Sequence, residues 1–197
     1  MMTLRTFIAI ELEEELLCHL VQVQDRFRKQ LSPHSVRWVQ PGGIHLTLKF
    51  LGDTRPDQVE AVKAALGRAA SEVPAFAFTV GGVGCFPNTR RPRVLWAGLH
   101  EPTGALSRLR DAVESHVAPL GFPTENRSFS PHLTLGRVQR NATGSEVREV
   151  GEAVAVSTIG ALDEMRVTRV SYIQSDLRPG GAVYTTLYDA PLQEAAG

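Results

Sequence analysis

Apolar residues recur along this chain in two rhythms, one close to every third or fourth position and one alternating, and the two rhythms take turns. Leu4–Ile10 reads as a first strand. A helical spacing then carries Leu16, Leu20, Phe27 and Leu31 on one face. Glu13–Glu15 fall in its first turn and Arg26, Arg28 and Lys29 near its end, the charge order that suits the helix dipole. A short extended Arg37-Trp38-Val39 precedes a strand-like His45-Leu46-Thr47-Leu48. Asp53-Thr54-Arg55-Pro56 reads as a helix start, with Val59, Val62, Leu66 and Ala69 on one face beyond it. Strands are predicted at Ala75–Val83 and Arg93–Leu99, joined by an Arg-rich turn. Thr103 is placed to cap a helix bearing Leu106, Leu109, Val113 and Val117, and an extended piece after Gly121-Phe122-Pro123 leads to His132. A weaker helix over Ser145–Val154 follows. Strands near Met165–Gln174 and Ala182–Tyr188, separated by Pro179-Gly180-Gly181, complete the series.

This order runs twice. The tetrapeptide His-Leu-Thr-Leu stands at His45–Leu48 and again at His132–Leu135, 87 residues apart, with matching elements around each copy. The pattern predicts an α+β fold: a single bilobal domain over 1–197, with pseudo-symmetric lobes at roughly 11–100 and 101–190. Each lobe would be a small, mainly antiparallel sheet backed by helices, with a cleft between them. No Ser/Gly-rich linker divides the halves.

In a strand, residues two apart share a face. His45 and Thr47 therefore point one way and Leu46 and Leu48 the other, and likewise His132 and Thr134 against Leu133 and Leu135. Packing accounts for the leucines returning, but it does not require His and Thr to return together opposite them. Two lobes related by a rough two-fold axis would set two imidazoles and two hydroxyls around one small volume. That set suits in-line displacement at phosphorus without a metal. One imidazole takes a proton from the attacking oxygen and the other gives one to the leaving oxygen, each transfer typically worth about 10²–10⁴-fold. The threonine hydroxyls donate where charge develops on the non-bridging oxygens.

Composition narrows the partners. The chain balances 21 basic against 21 acidic residues, which argues against a protein that coats long nucleic acid and leaves room for a small, locally basic site. At 43% hydrophobic it has ample surface to bury, and no apolar run approaches the roughly 20 residues of a membrane span. The N-terminal stretch runs straight from apolar residues into acid, unlike a signal peptide. Cys18 and Cys85 are too few for a disulfide framework and lack metal-ligand spacing. A cytoplasmic protein without membrane contact, metal or cofactor is expected.

The chain resembles the two-histidine phosphoesterase superfamily, and within it the RNA 2′,3′-cyclic phosphodiesterase branch, also called 2′-5′ RNA ligase. The matching pieces run in family order: Phe7–Leu12, Arg37-Trp38-Val39, His45–Gly52, Pro92–Gly98, Phe129–Arg137, and Ser175-Asp176-Leu177 with Gly181 and Tyr184 beyond. The resemblance implies that His45 is a proton donor, His132 a proton acceptor, and that Thr47, Thr134 and Arg137 bind the phosphate. It implies RNA ends bearing a 2′,3′-cyclic phosphate as substrate, tRNA fragments among them, opened by water to a 2′-phosphomonoester. A monomer is expected. The rivals are 2′-5′ ligation at the same site, a small nucleotide-derived cyclic phosphate, and a non-catalytic module that grips RNA ends. Arg or Lys would grip phosphate as well without titrating, which speaks against the last.

Other residues carry weaker signals. Phe7 and Trp38 are candidates to stack on a terminal base, Trp38 being read rather as strand packing. Arg90, Arg91 and Arg93 form a basic loop that suits either RNA phosphates or solvent. Gly81-Gly82-Val83-Gly84 lacks the Lys-Ser/Thr ending of a phosphate loop and reads as a bulge or turn. His19, His34, His100 and His116 have no repeated partner and read as structural.

Overall fold

The computed structural model describes residues 3–125, 128–179 and 181–194. Among the described residues nine strands form two antiparallel sheets. The first, four-stranded, has the order β3-β1-β8-β9, with β1 Leu4–Glu11, β3 His45–Thr54, β8 Arg169–Arg178 and β9 Gly181–Pro191. The second, five-stranded, has the order β2-β6-β5-β4-β7, with β2 Val36–Trp38, β4 Phe76–Phe86, β5 Val94–His100, β6 Leu133–Val138 and β7 Ala161–Val167. Helices α2 (Val59–Ser71) and α3 (Ala105–Val117) pair with each other behind the first sheet, against β3, β8 and β9. Helices α1 (Glu14–Gln30) and α4 (Gly144–Val156) back the second, against β4, β6 and β7.

The two-sheet α+β architecture agrees with the sequence pattern, but the sheets do not follow the boundaries 11–100 and 101–190. The first half sends β3 to one sheet and the β4–β5 hairpin to the other. The second half sends β6 to the second sheet and the β8–β9 hairpin to the first. Each sheet therefore joins one His-Leu-Thr-Leu strand to the other half's hairpin. The helices exchange in the same way, one from each half behind each sheet.

Local differences from expectation have local causes. Asp53 and Thr54 do not open a helix: β3 continues to Thr54, whose buried hydroxyl bonds that of Thr6 at 2.7 Å. A Pro56–Gln58 turn intervenes before α2. The apolar run Met165–Gln174 is two strands, not one. It breaks at Thr168, and its parts, β7 and β8, enter different sheets. Thr103 shares the start of α3 with Glu101, whose carboxylate accepts the Leu106 N–H at 3.1 Å while the Thr103 hydroxyl accepts that of Ala105 at 3.3 Å. The weak helix is α4, whose start is fixed by reciprocal bonds between Thr143 and Glu146. Gly180, within the expected turn before β9, lies outside the described residues. The Gly-rich run is a bulge in β4, with Gly82 at φ +68° and the pairing skipping it.

Candidate active site

The two motif strands show one burial pattern. Leu46, Leu133 and Leu135 are fully buried and Leu48 nearly so, while His45, Thr47, His132 and Thr134 are half-buried on the opposite face. Each buried leucine contributes about 1.5–3 kcal/mol relative to an exposed one, so the core fixes which face the His-Thr pairs present. Strands β3 and β6, from different sheets, come within 8 Å of each other between Cα atoms.

Both strands then bulge at the same place. On β3, Ala9 pairs with Thr47 and Ile8 with Lys49, so Leu48 is the extra residue. On β6, Trp96 pairs with Thr134 and Leu95 with Gly136, so Leu135 is the extra residue. A bulge reverses the alternation beyond it. The fifth residue after each histidine, Phe50 on β3 and Arg137 on β6, is thereby turned to the face of the His-Thr pair. Lys49 is turned inward, where its ammonium is buried between the Glu114 carboxylate at 2.9 Å and the Pro123 carbonyl at 2.5 Å. The second bulge is braced from α1. The buried Gln24 amide donates to the carbonyls of Leu135 and Val39, both at 2.8 Å.

The histidines differ in surroundings. His45 stacks on Phe7 with ring centroids 4.6 Å apart and planes 24° from parallel, and meets the edge of Tyr184 at 5.3 Å. Burial among these rings lowers its pKa from 6.5 to about 4. His132 meets Phe86 edge-on at 4.9 Å, and its Nδ1 lies 2.7 Å from the Ser130 carbonyl oxygen. A carbonyl only accepts, so Nδ1 carries the proton and the neutral ring leaves Nε2 as a bare acceptor. Among the described residues, neither Thr47 nor Thr134 spends its hydroxyl on a hydrogen bond within the protein.

Phe7 corrects the expectation of an open stacking surface. It is 3% exposed, closed in by His45, Phe50 and Tyr184, and serves as a wall behind the imidazole. Phe50 on the same face is 59% exposed, although strict alternation with Leu46 and Leu48 would point it into the core. Trp38 is packing, as read: Phe27 stacks on it and the Arg28 guanidinium lies over its ring. Trp96 was not foreseen. It lies flat beside β4 over Gly84, where a Cβ would come 2.2 Å from the indole, and its buried N–H has no partner among the described residues. His19 pairs with Asp163 and His116 with Glu72, while Arg90 and Arg91 stand exposed in a turn closed by the Asn88 side chain. Among the described residues no three His, Cys, Asp or Glu are gathered as metal ligands, and no helix is long and apolar enough to cross a membrane.

The family model for LigT-like phosphoesterases matches residues 10–96 and 99–184, one copy for each half of the duplication. The chain belongs to the LigT-like phosphoesterase family. Among the relatives of this phosphoesterase is the RNA 2′,3′-cyclic phosphodiesterase of Methanothermobacter thermautotrophicus, 32% identical over 187 residues that cover 94% of this chain and 97% of that one. The enzyme of the same name from Escherichia coli is 29% identical, covering 93% of each chain. A Thermus thermophilus crystal structure superposes with a TM-score of 0.80 at 28% identity, over 98% of this chain and 100% of that one. Escherichia coli LigT complexed with 3′-AMP superposes at 0.78 and 27% identity, with the same coverage.

Proposed function

We propose that this LigT-like phosphoesterase opens 2′,3′-cyclic phosphate ends of RNA, tRNA fragments included, to 2′-phosphomonoesters. The observation that carries the reading is the paired presentation of His45-Thr47 on β3 and of His132-Thr134 at the start of β6, each on the side opposite the buried leucines. Relatives named RNA 2′,3′-cyclic phosphodiesterase, about 30% identical over most of the chain, supply the substrate class.

In this reading Nε2 of His132 takes a proton from water as the water oxygen bonds to phosphorus. The bond from phosphorus to O3′ breaks on the far side, and His45 supplies the proton that O3′ takes up. The Ser130 carbonyl supports the base role, since it fixes the tautomer whose free nitrogen accepts. His45 is neutral in the empty site near pH 7, because burial holds its pKa at about 4. A phosphate anion beside it favours the charged imidazolium, so binding loads the acid. Thr47, Thr134 and Arg137 hold the non-bridging oxygens, and Phe50 with the Tyr184 edge offers a stacking surface to the terminal base. The protein acts as a cytoplasmic monomer and needs no metal.

The test is an oligoribonucleotide ending in 2′,3′-cyclic phosphate, incubated with the protein in EDTA. A 2′-phosphomonoester product supports the reading. A product that appears only after a divalent ion is restored overturns the metal-free mechanism, and no product under either condition overturns the activity.

A further inference from the structure

Beside Arg137, on the edge strand β2, stands Arg37. The two are direct partners in the β2–β6 ladder, so their side chains leave the sheet on the same face. Both are exposed. Among the described residues neither guanidinium has a carboxylate within ion-pair distance. Like charges directly opposite each other destabilise a sheet, and the bulge at Leu135 turns this opposed pair to the face of the His-Thr pair. With unbulged alternation Arg137 would point to the other face. Gln24 and the Val39 N–H both hold the Leu135 carbonyl that forms the bulge. The structure thus sustains an uncompensated pair of guanidiniums on the face of the His-Thr pair, which is the arrangement an anion neutralises.

Arg37 is one strand further from Thr134 than Arg137, about 4.8 Å outward, at the open edge of the five-stranded sheet. A group that far out does not share the cyclic phosphate held between the motif strands. An RNA with a 2′,3′-cyclic end continues only in the 5′ direction, so the next anion it offers is the phosphodiester on the 5′ side of the terminal nucleoside. Resting on the proposed activity, we infer that Arg37 binds this second phosphate and makes the site prefer an oligonucleotide end over a free nucleoside cyclic phosphate. The sheets then divide the work. The four-stranded sheet gives the terminal base its aromatic face, and the edge of the five-stranded sheet takes the backbone as it leaves the cleft.

The test compares uridine 2′,3′-cyclic phosphate with the dinucleotide UpU ending in the same cyclic group, on wild type and on Arg37→Gln. The two substrates share the reacting end, and the dinucleotide adds the internal phosphate. For Arg37→Gln, KM on the dinucleotide should rise about tenfold, in line with the loss of one charge-assisted contact. Both constants on the mononucleotide should stay at wild-type values, which also reports an intact fold. The salt dependence of log KM on the dinucleotide should flatten by about 0.7, one phosphate contact on a single strand. Arg37→Lys, which keeps the charge without the planar fork, should recover part of the loss. An equal fall on both substrates, or wild-type KM on the dinucleotide, overturns the inference. If wild type opened neither substrate, the activity itself would fall, a result distinct from either of these.

Discussion

Phe50 and Arg137 hold the same place in the two halves of the molecule, each the fifth residue after its motif histidine and each turned to the cleft by the bulge at Leu48 or Leu135. The duplication kept the backbone device and changed what it presents, an aromatic ring on one side and a guanidinium on the other. The two substitutions should therefore have different kinetic signatures. Phe50→Ala should raise KM about tenfold for an RNA end, the value of one base-stacking contact of 1–3 kcal/mol, and barely affect inorganic phosphate as an inhibitor. Arg137→Lys should weaken both, because the lysine cannot copy two parallel hydrogen bonds to a phosphate. Steady-state kinetics with phosphate inhibition separates them. Equal phosphate affinity in wild type and Arg137→Lys would remove Arg137 from the phosphate site.

The division of labour between the histidines shows in the leaving group. A ribose alkoxide needs its proton, whereas p-nitrophenolate departs unaided. On an accepted p-nitrophenyl phosphodiester, His45→Ala should lose far less activity than on cyclic-phosphate RNA. His132→Ala should remain crippled on both, since water must be deprotonated either way. Rescue of His132→Ala in place of His45→Ala would exchange the roles.

Thr47→Val and Thr134→Val keep the shape of the side chain and remove its hydroxyl. Each should lower kcat on the order of 10²–10³-fold if the hydroxyl serves the transition state, with thermal stability unchanged because neither donates within the protein. Wild-type kcat in either variant would relegate that threonine to the sheet.

Burial of His45 also has a pH signature. Its folded pKa, about 4, lies below the 6.5 of the unfolded chain. Above pH 6.5 both forms are neutral and the contribution to stability is full. As pH falls from 6.5 towards 4 the unfolded chain binds the proton first, and stability drops by up to ~3 kcal/mol. Urea unfolding of wild type and His45→Gln across this range should show the steeper acid loss in wild type. In kinetics, His45 as the acid governs the limb on which activity falls with rising pH, and that limb should begin near pH 4 in kcat/KM and higher in kcat, since bound phosphate raises the imidazole. Matching limbs at pH 6.5 in both would contradict the buried, neutral His45.

Much of the site was legible because the core wrote it. Buried leucines alternating with His and Thr state which face each strand shows, and two copies of one tetrapeptide state that the faces belong together. Bulges were not legible. Nothing in Leu48-Lys49 or Leu135-Gly136 announces an extra residue, so strict alternation places Phe50 with the core leucines, while Phe7 is expected to be open to a terminal base. Their exposures are the reverse, 59% and 3%. Sheet membership was hidden for a similar reason. Periodicity reports that a residue is in a strand and which side is apolar, but the partner strand is chosen by long-range packing. The break at Thr168 sends neighbouring segments to different sheets without any Gly or Pro to mark it.

The crossing of hairpins between the sheets makes the cleft indivisible. A chain cut near residue 101 gives two fragments, each with a motif strand and a hairpin that belong in different sheets and an open ladder on both. Neither fragment can form even one wall of the cleft alone, yet each carries the edges that the other lacks. The two pieces are built to recognise one another, as two copies of a primordial half would have been. Mixed fragments should regain together an activity that each one lacks alone.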